Sequence, residues 1–372
     1  MHRLSHPAWI EIDLGQFKQN IAHIRNYIGN ALLCLPVKAN AYGHGLLPIA
    51  EAAVEAGVDY FAVACLQEGA LLRKASIDKP ILVVGAIHEN QIPDLLHYQL
   101  ELSIASLFKA QLVAKYCERT GQICKVHVEI DTGMQRTGVR PETAIELLNY
   151  LFATPCFDVV GVYSHLATAE DLTNENNQQQ ITAFQQVVAD YVRPRSEKII
   201  CHLANSAGIC NFSVSHLDMV RPGILAFGYF PQPLPGSLAQ IRPFLSVKAK
   251  ISYFKVVEKN QGISYGHTYV TDSAVRIVTV PVGYGDGYRR ALSNRAEVLI
   301  RGKRYPIVGT ICMDQFMVNV GQDEAHVGDE VVLIGKQGDA EITLIEIANL
   351  CDTISYEVLC GFNDRLPRLY ND

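Results

Sequence analysis

From residue 32 to about residue 230, apolar runs of strand length alternate eight times with amphipathic runs of helix length, and few folds accommodate that pattern. The strand-like runs are "LLCLPVKA", "YFAVAC", "PILVVGA", "LELSIAS", "CKVHVEID", "FDVVGVYSHL", "KIICHLAN" and "MVRPGILAFG". Between most of them lie helical stretches such as "LLPIAEAAVEAG", "LQEGALLRKA", "FKAQLVAKYCERTG", "PETAIELLNYLF" and "ITAFQQVVADYV". Continuous apolar strands taking turns with helices predict a parallel sheet covered on its outer face. Eight of them within about 200 residues fit an α/β fold of the (β/α)8 TIM-barrel type better than an open doubly wound sheet. Nothing like GxGxxG opens a helix after the first strand, which counts against a dinucleotide fold.

Beyond about residue 240 the pattern changes. "LSVKAKISYFKVV", "RIVTVPVGYG", "RAEVLIRGKRYPIVG", "QFMVNV" and "GDEVVLIG" are β-branched segments parted by Gly, Asn and Asp turns, and they predict a C-terminal, mostly antiparallel β-domain. The proline-dense stretch "YFPQPLPGSLAQIRP" (229–243) suits the linker. The expected division is a barrel over 11–240 and a β-domain over 241–372, to which residues 1–10 add a strand.

A net charge of −6 leaves no electrostatic footprint for nucleic acid or an anionic membrane surface. No apolar run approaches the roughly 20 residues needed to span a bilayer. The start, "MHRLSHPAWIEIDLG", lacks a signal peptide's apolar region and cleavage site, so a cytoplasmic location is expected. Of ten cysteines, most sit in apolar runs (Cys34, Cys65, Cys124, Cys201), which suits buried thiols in a reducing compartment. Neither CxxC pairs nor His/Cys clusters appear, and no metal site is expected.

The polar residues of the barrel strands fall at one end. Lys38 closes the first strand, Arg136 follows the fifth, His165 ends the sixth, Asn205 and Ser206 end the seventh, and Arg221 with Gly223 belongs to the eighth. Each alone has a structural explanation. Together they mark the carboxyl-terminal face, where such barrels place their chemistry. The loops after strands seven and eight, "HLANSAG" and "VRPGILAFG", suit a phosphate: Ser206 offers a hydroxyl, Gly223 and Ile224 offer backbone N–H groups, and Tyr42 could reach the same anion. A strand-end lysine beside a phosphate site suggests pyridoxal phosphate, held by an imine to Lys38.

"VKANAYGHG" resembles the pyridoxal-phosphate signature of alanine racemases, and the resemblance continues in order through "DTGMQRTG", "SHLA", "ANSAG", "DMVRPGI", "SYGHTY", "VGYGDG", "CMDQ" and "TISYEVLC". It implies an L-alanine/D-alanine racemase that supplies D-alanine for peptidoglycan, with breakdown of supplied D-alanine as the other use. It also implies a homodimer whose shared active sites combine one subunit's barrel with the other's β-domain.

Inverting an α-carbon needs a proton removed from one face and returned on the other. The resemblance assigns these roles to Lys38 and to Tyr265 of "GISYGHTY", supplied across the dimer. A free tyrosine, with a pKa of about 10, needs positive charge nearby to act as a base, and His165 backed by Arg221 is expected to help. Arg221 resembles the partner of the pyridine nitrogen, Tyr356 a phosphate ligand, and Tyr284 part of the access corridor. Arg136 and the backbone N–H of Met313 resemble the substrate-carboxylate ligands. One departure stands out: Glu129 occupies a position where many members carry a carbamylated lysine, and it is expected to steady Arg136. Other classes stay open, namely a non-catalytic pyridoxal-phosphate-binding barrel, a decarboxylase of the same plan, and a racemase of broader preference.

Overall fold

The computed structural model describes residues 6–230 and 233–372. They form two compact units. One takes in residues 17–41 and the described residues of 46–242; the other takes in the described residues up to 16, then 42–45 and 243–372. Residues 231 and 232, inside the expected linker, lie outside the described residues, as do residues 1–5.

In the first unit, eight parallel strands follow the chain around a barrel. They are β2 (Leu32–Pro36), β3 (Tyr60–Val63), β4 (Ile81–Val83), β5 (Glu101–Ile104), β6 (Cys124–Glu129), β7 (Phe157–Tyr163), β8 (Ile200–His202) and β9 (Met219–Val220); β1 (Ala8–Asp13) precedes them in the chain and belongs to the other unit. Each pairs with its sequence neighbour except β9, which pairs back onto β2, so the order is β8-β7-β6-β5-β4-β3-β2-β9. Asp218 N–H donates to Cys201 O at 3.0 Å and Arg221 N–H to Ala204 O at 2.9 Å, joining the two ends of the sheet into a nearly closed barrel. All eight expected strands are present. Strands β3, β4 and β5 are buried along their whole length, as sheet faces covered on both sides must be. Each fully buried Leu, Phe or Val among them contributes roughly 1.5–3 kcal/mol.

The connecting helices obey local signals. The helix Leu107–Thr120 begins where the Ser106 hydroxyl accepts from Lys109 N–H at 3.2 Å and ends at Gly121, whose φ of +69° closes it in the left-handed region. Several helices lie outside the expected helical runs, the longest being Leu14–Ile28, although Phe17, Ile21, Ile24 and Ile28 trace a buried face at helical spacing.

The second unit is built on a ten-stranded sheet. Its further strands are β10 (Leu245–Lys250), β11 (Tyr253–Val257), β14 (Val275–Val280), β15 (Glu297–Ile300), β16 (Lys303–Val308), β17 (Phe316–Gly321), β18 (Glu330–Gln337), β19 (Ala340–Ile342) and β20 (Arg368–Asn371); β12 (Gly262–Ile263) and β13 (Tyr269–Val270) form a separate pair. The order is β11-β14-β17-β16-β15-β18-β10-β1-β20, with β19 on β18. Every pair is antiparallel except β1 with β20. The β15–β16 hairpin turns on Arg301 and Gly302, both at positive φ, the two-residue connection that matches strand twist. No helix among the described residues is long and apolar enough to cross a membrane. All ten cysteines are free thiols, and the described residues contain no cluster fit for a metal ion.

Candidate active site

Strand β2 stops at Pro36, and Lys38 follows it at the carboxyl end of the barrel, partly buried. What comes next was not legible in the sequence. Ala39, Asn40, Ala41 and Tyr42 all have φ between +51° and +55°, a full left-handed turn. L-residues resist this conformation by roughly 1–2 kcal/mol each, and only Asn takes it readily. Three hydrogen bonds offset the strain: Ala39 N–H to Glu68 Oε1 at 2.6 Å, Ala41 N–H to Val37 O at 2.8 Å, and Leu46 N–H to Asn40 Oδ1 at 2.8 Å. The other Glu68 oxygen accepts from Ala64 N–H after β3, so one carboxylate ties two strand ends together. The turn re-aims the backbone directly behind Lys38, at a place where strain marks function.

Arg221, directly after β9, is buried, and both of its terminal nitrogens are hydrogen-bonded. Nη1 donates to His202 Nδ1 at 2.8 Å; Nη2 donates to Ser164 O at 2.7 Å, to Leu203 O at 3.2 Å and, at 3.4 Å, to His165 Nδ1. Its Nε–H carries none of these bonds. Because arginine only donates, the proton of His165 belongs on Nε2. Burial, then Arg221, Arg136 and Lys38, push His165 down to about 3. That shift favours a neutral imidazole at neutral pH, with the Arg221 guanidinium as the cation beside it.

Asn205 caps the helix Ser206–Asn211 by accepting from Gly208 N–H at 2.9 Å, while its Nδ2 donates to Leu166 O at 3.0 Å. Buried Ser206 accepts from Leu225 N–H at 3.2 Å and keeps its own proton to give. The buried N–H groups of Gly223 and Ile224 donate to no acceptor among the described residues. Buried backbone donors are rarely left so, and an anion would satisfy them.

Arg136 is exposed on the loop after β6, which is closed at its base by Asp131 N–H to Val139 O at 2.7 Å and braced by Asp131 Oδ1 accepting from Gly133 and Gln135 N–H. Glu129 accepts from Thr137 Oγ1 at 2.8 Å within that loop and forms no ion pair with Arg136. That bond ties the end of β6 to the loop that carries Arg136.

In the second unit, Tyr265 is 73% exposed on a short turn held by Ser264 Oγ donating to Thr310 O at 2.6 Å and Thr310 Oγ1 donating to Tyr265 O at 2.9 Å. Tyr284 and Met313 stand on two loops joined by Tyr284 N–H to Cys312 O and Gly285 N–H to Met313 O. Met313 N–H itself donates to no acceptor among the described residues. Tyr265, Tyr284 and Met313 share one concave face of about 1470 Å³. Tyr42 and Tyr356 also belong to this unit, their rings 6.0 Å apart. Gly43, between Tyr42 and His44, has φ +79°, and a Cβ there would lie 2.3 Å from Leu359 O, so only glycine fits.

Two histidines of the barrel interior, His165 half-buried and His202 buried, are expected to give the chain a pH dependence. His165 and His202, the latter held far down by burial, then by Arg221 and His127, are neutral when folded and titrate near 6.5 when unfolded. Below pH 6.5 the unfolded chain binds more protons, so stability is full above that pH and falls towards pH 3. The urea midpoint is expected to be lower at pH 5 than at pH 7.5, His165 alone contributing a loss of about 2 kcal/mol.

Residues 12–231 match the family profile described as "Alanine racemase, N-terminal domain", and residues 244–370 match "Alanine racemase, C-terminal domain". The alanine racemase of Symbiobacterium thermophilum is 42% identical over 365 residues, covering 98% of this chain and 97% of its own. That of Halothermothrix orenii is 40% identical over 372 residues, covering 100% and 98%. Among solved structures, alanine racemase from Clostridium difficile 630 superposes with a TM-score of 0.93 at 35% identity, covering 99% of this chain and 97% of that one. Alanine racemase from Bacillus anthracis with bound L-Ala-P gives 0.93 at 34%, covering 100% and 96%. Both profiles, in order and almost end to end, agree with the barrel and the β-unit described above: the chain belongs to the alanine racemase family.

Proposed function

We propose that the chain interconverts L- and D-alanine with pyridoxal phosphate, in a homodimer whose active sites pair the barrel (11–240) of one subunit with the β-domain (241–372, with 1–10) of the other. The donor set suits the cofactor. Gly223 and Ile224 offer buried, unused N–H groups beside the Ser206 hydroxyl for its phosphate, and Tyr42 and Tyr356 stand together as further donors. Asn205 shapes that cradle by capping the helix that starts with Ser206. Arg221 keeps Nε–H for the ring nitrogen, and Lys38 would hold the group covalently through Nζ. When bound, pyridoxal phosphate withdraws electrons from the α-carbon of an attached amino acid, so that its hydrogen can leave as a proton.

Lys38 Nζ takes or returns that proton on one face, and Tyr265 Oη of the opposite subunit does so on the other. The Nε2–H of neutral His165 is fixed as a donor by Arg221 behind it and is suited to receive the tyrosine oxygen. Arg136 and Met313 N–H orient the substrate carboxylate, and Tyr284 narrows the approach so that a methyl side chain is favoured. A methylene more or less discriminates by only about 1–3 kcal/mol, so preference for alanine is not absolute. The exposed Tyr253, Val256 and Tyr265 on one concave face support a partner there. With D-alanine as product, supply for peptidoglycan is the use we favour, in the cytoplasm.

The carrying observation is the gathering of Lys38, His165, Arg221 and the Gly223–Ile224 donors at one end of the barrel. Borohydride reduction followed by peptide mapping tests it: the label belongs on the peptide containing Lys38, and circular dichroism should show D-alanine converting to racemate. Reduced cofactor on another lysine, or no change in optical activity, would refute the reading. Arg221 also governs reaction choice. It can only donate, so it would hold a pyridine nitrogen as an acceptor, in the form that draws electrons less strongly than beside a carboxylic acid. Arg221→Glu is therefore expected to raise side transamination, read as the fraction of turnovers that yield pyruvate. This is also why a decarboxylase, expected to carry an acidic partner there, is not favoured.

A further inference from the structure

The barrel interior holds a polar chain that neither the anchor nor the phosphate cradle uses. Arg221 Nη1 donates to His202 Nδ1 at 2.8 Å, so the His202 proton sits on Nε2. That proton is given to His127 Nδ1 at 2.9 Å, which leaves the His127 proton on Nε2. His127 Nε2 in turn donates to Glu101 Oε2 at 2.9 Å. A guanidinium only donates and a carboxylate only accepts, so both ends agree on one direction and both tautomers are set. Arg221, His202, His127 and Glu101 are 6%, 0%, 0% and 3% exposed.

The chain is built into the strands. The register of β6 on β7 shifts between Val126 and His127, bringing His127 opposite Gly161. A Cβ on Gly161 would stand 2.3 Å from His127 Nδ1, so the glycine makes room for the imidazole pair. The Tyr163 ring stacks on His202 at 4.9 Å and lies 5.3 Å beneath the Arg221 guanidinium. The groups bonded directly to Arg221 are two imidazoles and two carbonyls, all neutral. Glu129 adds to the negative field but bonds Thr137 and, weakly, Ser103. A buried cation without a counter-charge is costly, and the carboxylate at the end of its hydrogen-bond chain lies two imidazoles away.

We propose that Glu101 is a positioning residue for Arg221, acting through His127 and His202 to hold the guanidinium so that its Nε–H faces the cofactor ring; this rests on the reading of Arg221 given above. The carboxylate polarises every bond in the chain the same way and keeps His202 an acceptor. Without it the imidazoles lose their common direction, and a reversed His202 would set N–H against N–H at Arg221.

Holoenzyme labelled with ¹⁵N-histidine, studied by long-range ¹⁵N–¹H spectroscopy, should show both His127 and His202 protonated at Nε2 in the wild type. Glu101→Gln should raise the cofactor's dissociation constant about tenfold and increase the transaminating fraction of turnovers, and Glu101→Asp should recover most of both. An Nδ1–H tautomer at either histidine in the wild type overturns the proposal, even if Glu101→Gln does not fold. So does a Glu101→Gln enzyme with wild-type affinity and partition while Arg221→Lys changes both. If Arg221→Lys changes neither, it is the reading of Arg221 that fails.

Discussion

Lys38→Ala is expected to lower kcat/KM for alanine racemisation by at least about 10⁴-fold. Two contributions are lost at once. A positioned acid–base group alone is worth roughly 10²–10⁴-fold, and the covalent anchor for the cofactor goes with the same amine. The fold should survive, because Lys38 stands beyond the end of β2, and Val37 O, the Asn40 side chain and Glu68 all hold the left-handed turn after it. Far-ultraviolet circular dichroism confirms folding, and polarimetry with D-alanine reads the loss. A folded variant that racemises at the wild-type rate would remove the chemical basis assigned to this barrel.

Tyr265→Phe keeps the ring and removes the oxygen, and inversion is expected to fall by about 10²–10⁴-fold. The effect should be one-sided. In deuterated water the variant should still exchange the α-hydrogen of one enantiomer, on the face served by Lys38, while failing to invert it. Loss of exchange with both enantiomers would mean that one group serves both faces. Mixing tests the shared site. Lys38→Ala and Tyr265→Phe chains, each inactive alone, should on dissociation and reassociation form mixed dimers with one intact site, about a quarter of the wild-type total. No recovery would place Lys38 and Tyr265 of a single chain in each site.

The barrel was legible because its signal is local and repeated: the strands are largely apolar runs, three of them buried along their whole length, and the longer helices carry a buried face at helical spacing. Lys38, His165, Asn205, Ser206 and Arg221 were legible for the same reason, since polar residues at strand ends stand out against apolar runs. The left-handed turn at 39–42 was not. Ala, Ala and Tyr give no sign of positive φ, and what holds them there is a carboxylate nearly thirty residues away. The downward shift of His165 was also hidden, because it comes first from burial within the barrel and then from three cations drawn from three different strand ends.

From the order of residues alone came the number of barrel strands, the change to β-structure near residue 240, and the list of polar groups at the strand ends, all properties of short windows. Tertiary structure alone decided which of those groups bond, which histidine tautomers they impose, and that Arg221 is served by a chain ending at Glu101. The physical reason is direction: whether a donor meets an acceptor depends on barrel closure and on the register shift at His127, and neither is encoded in any one segment.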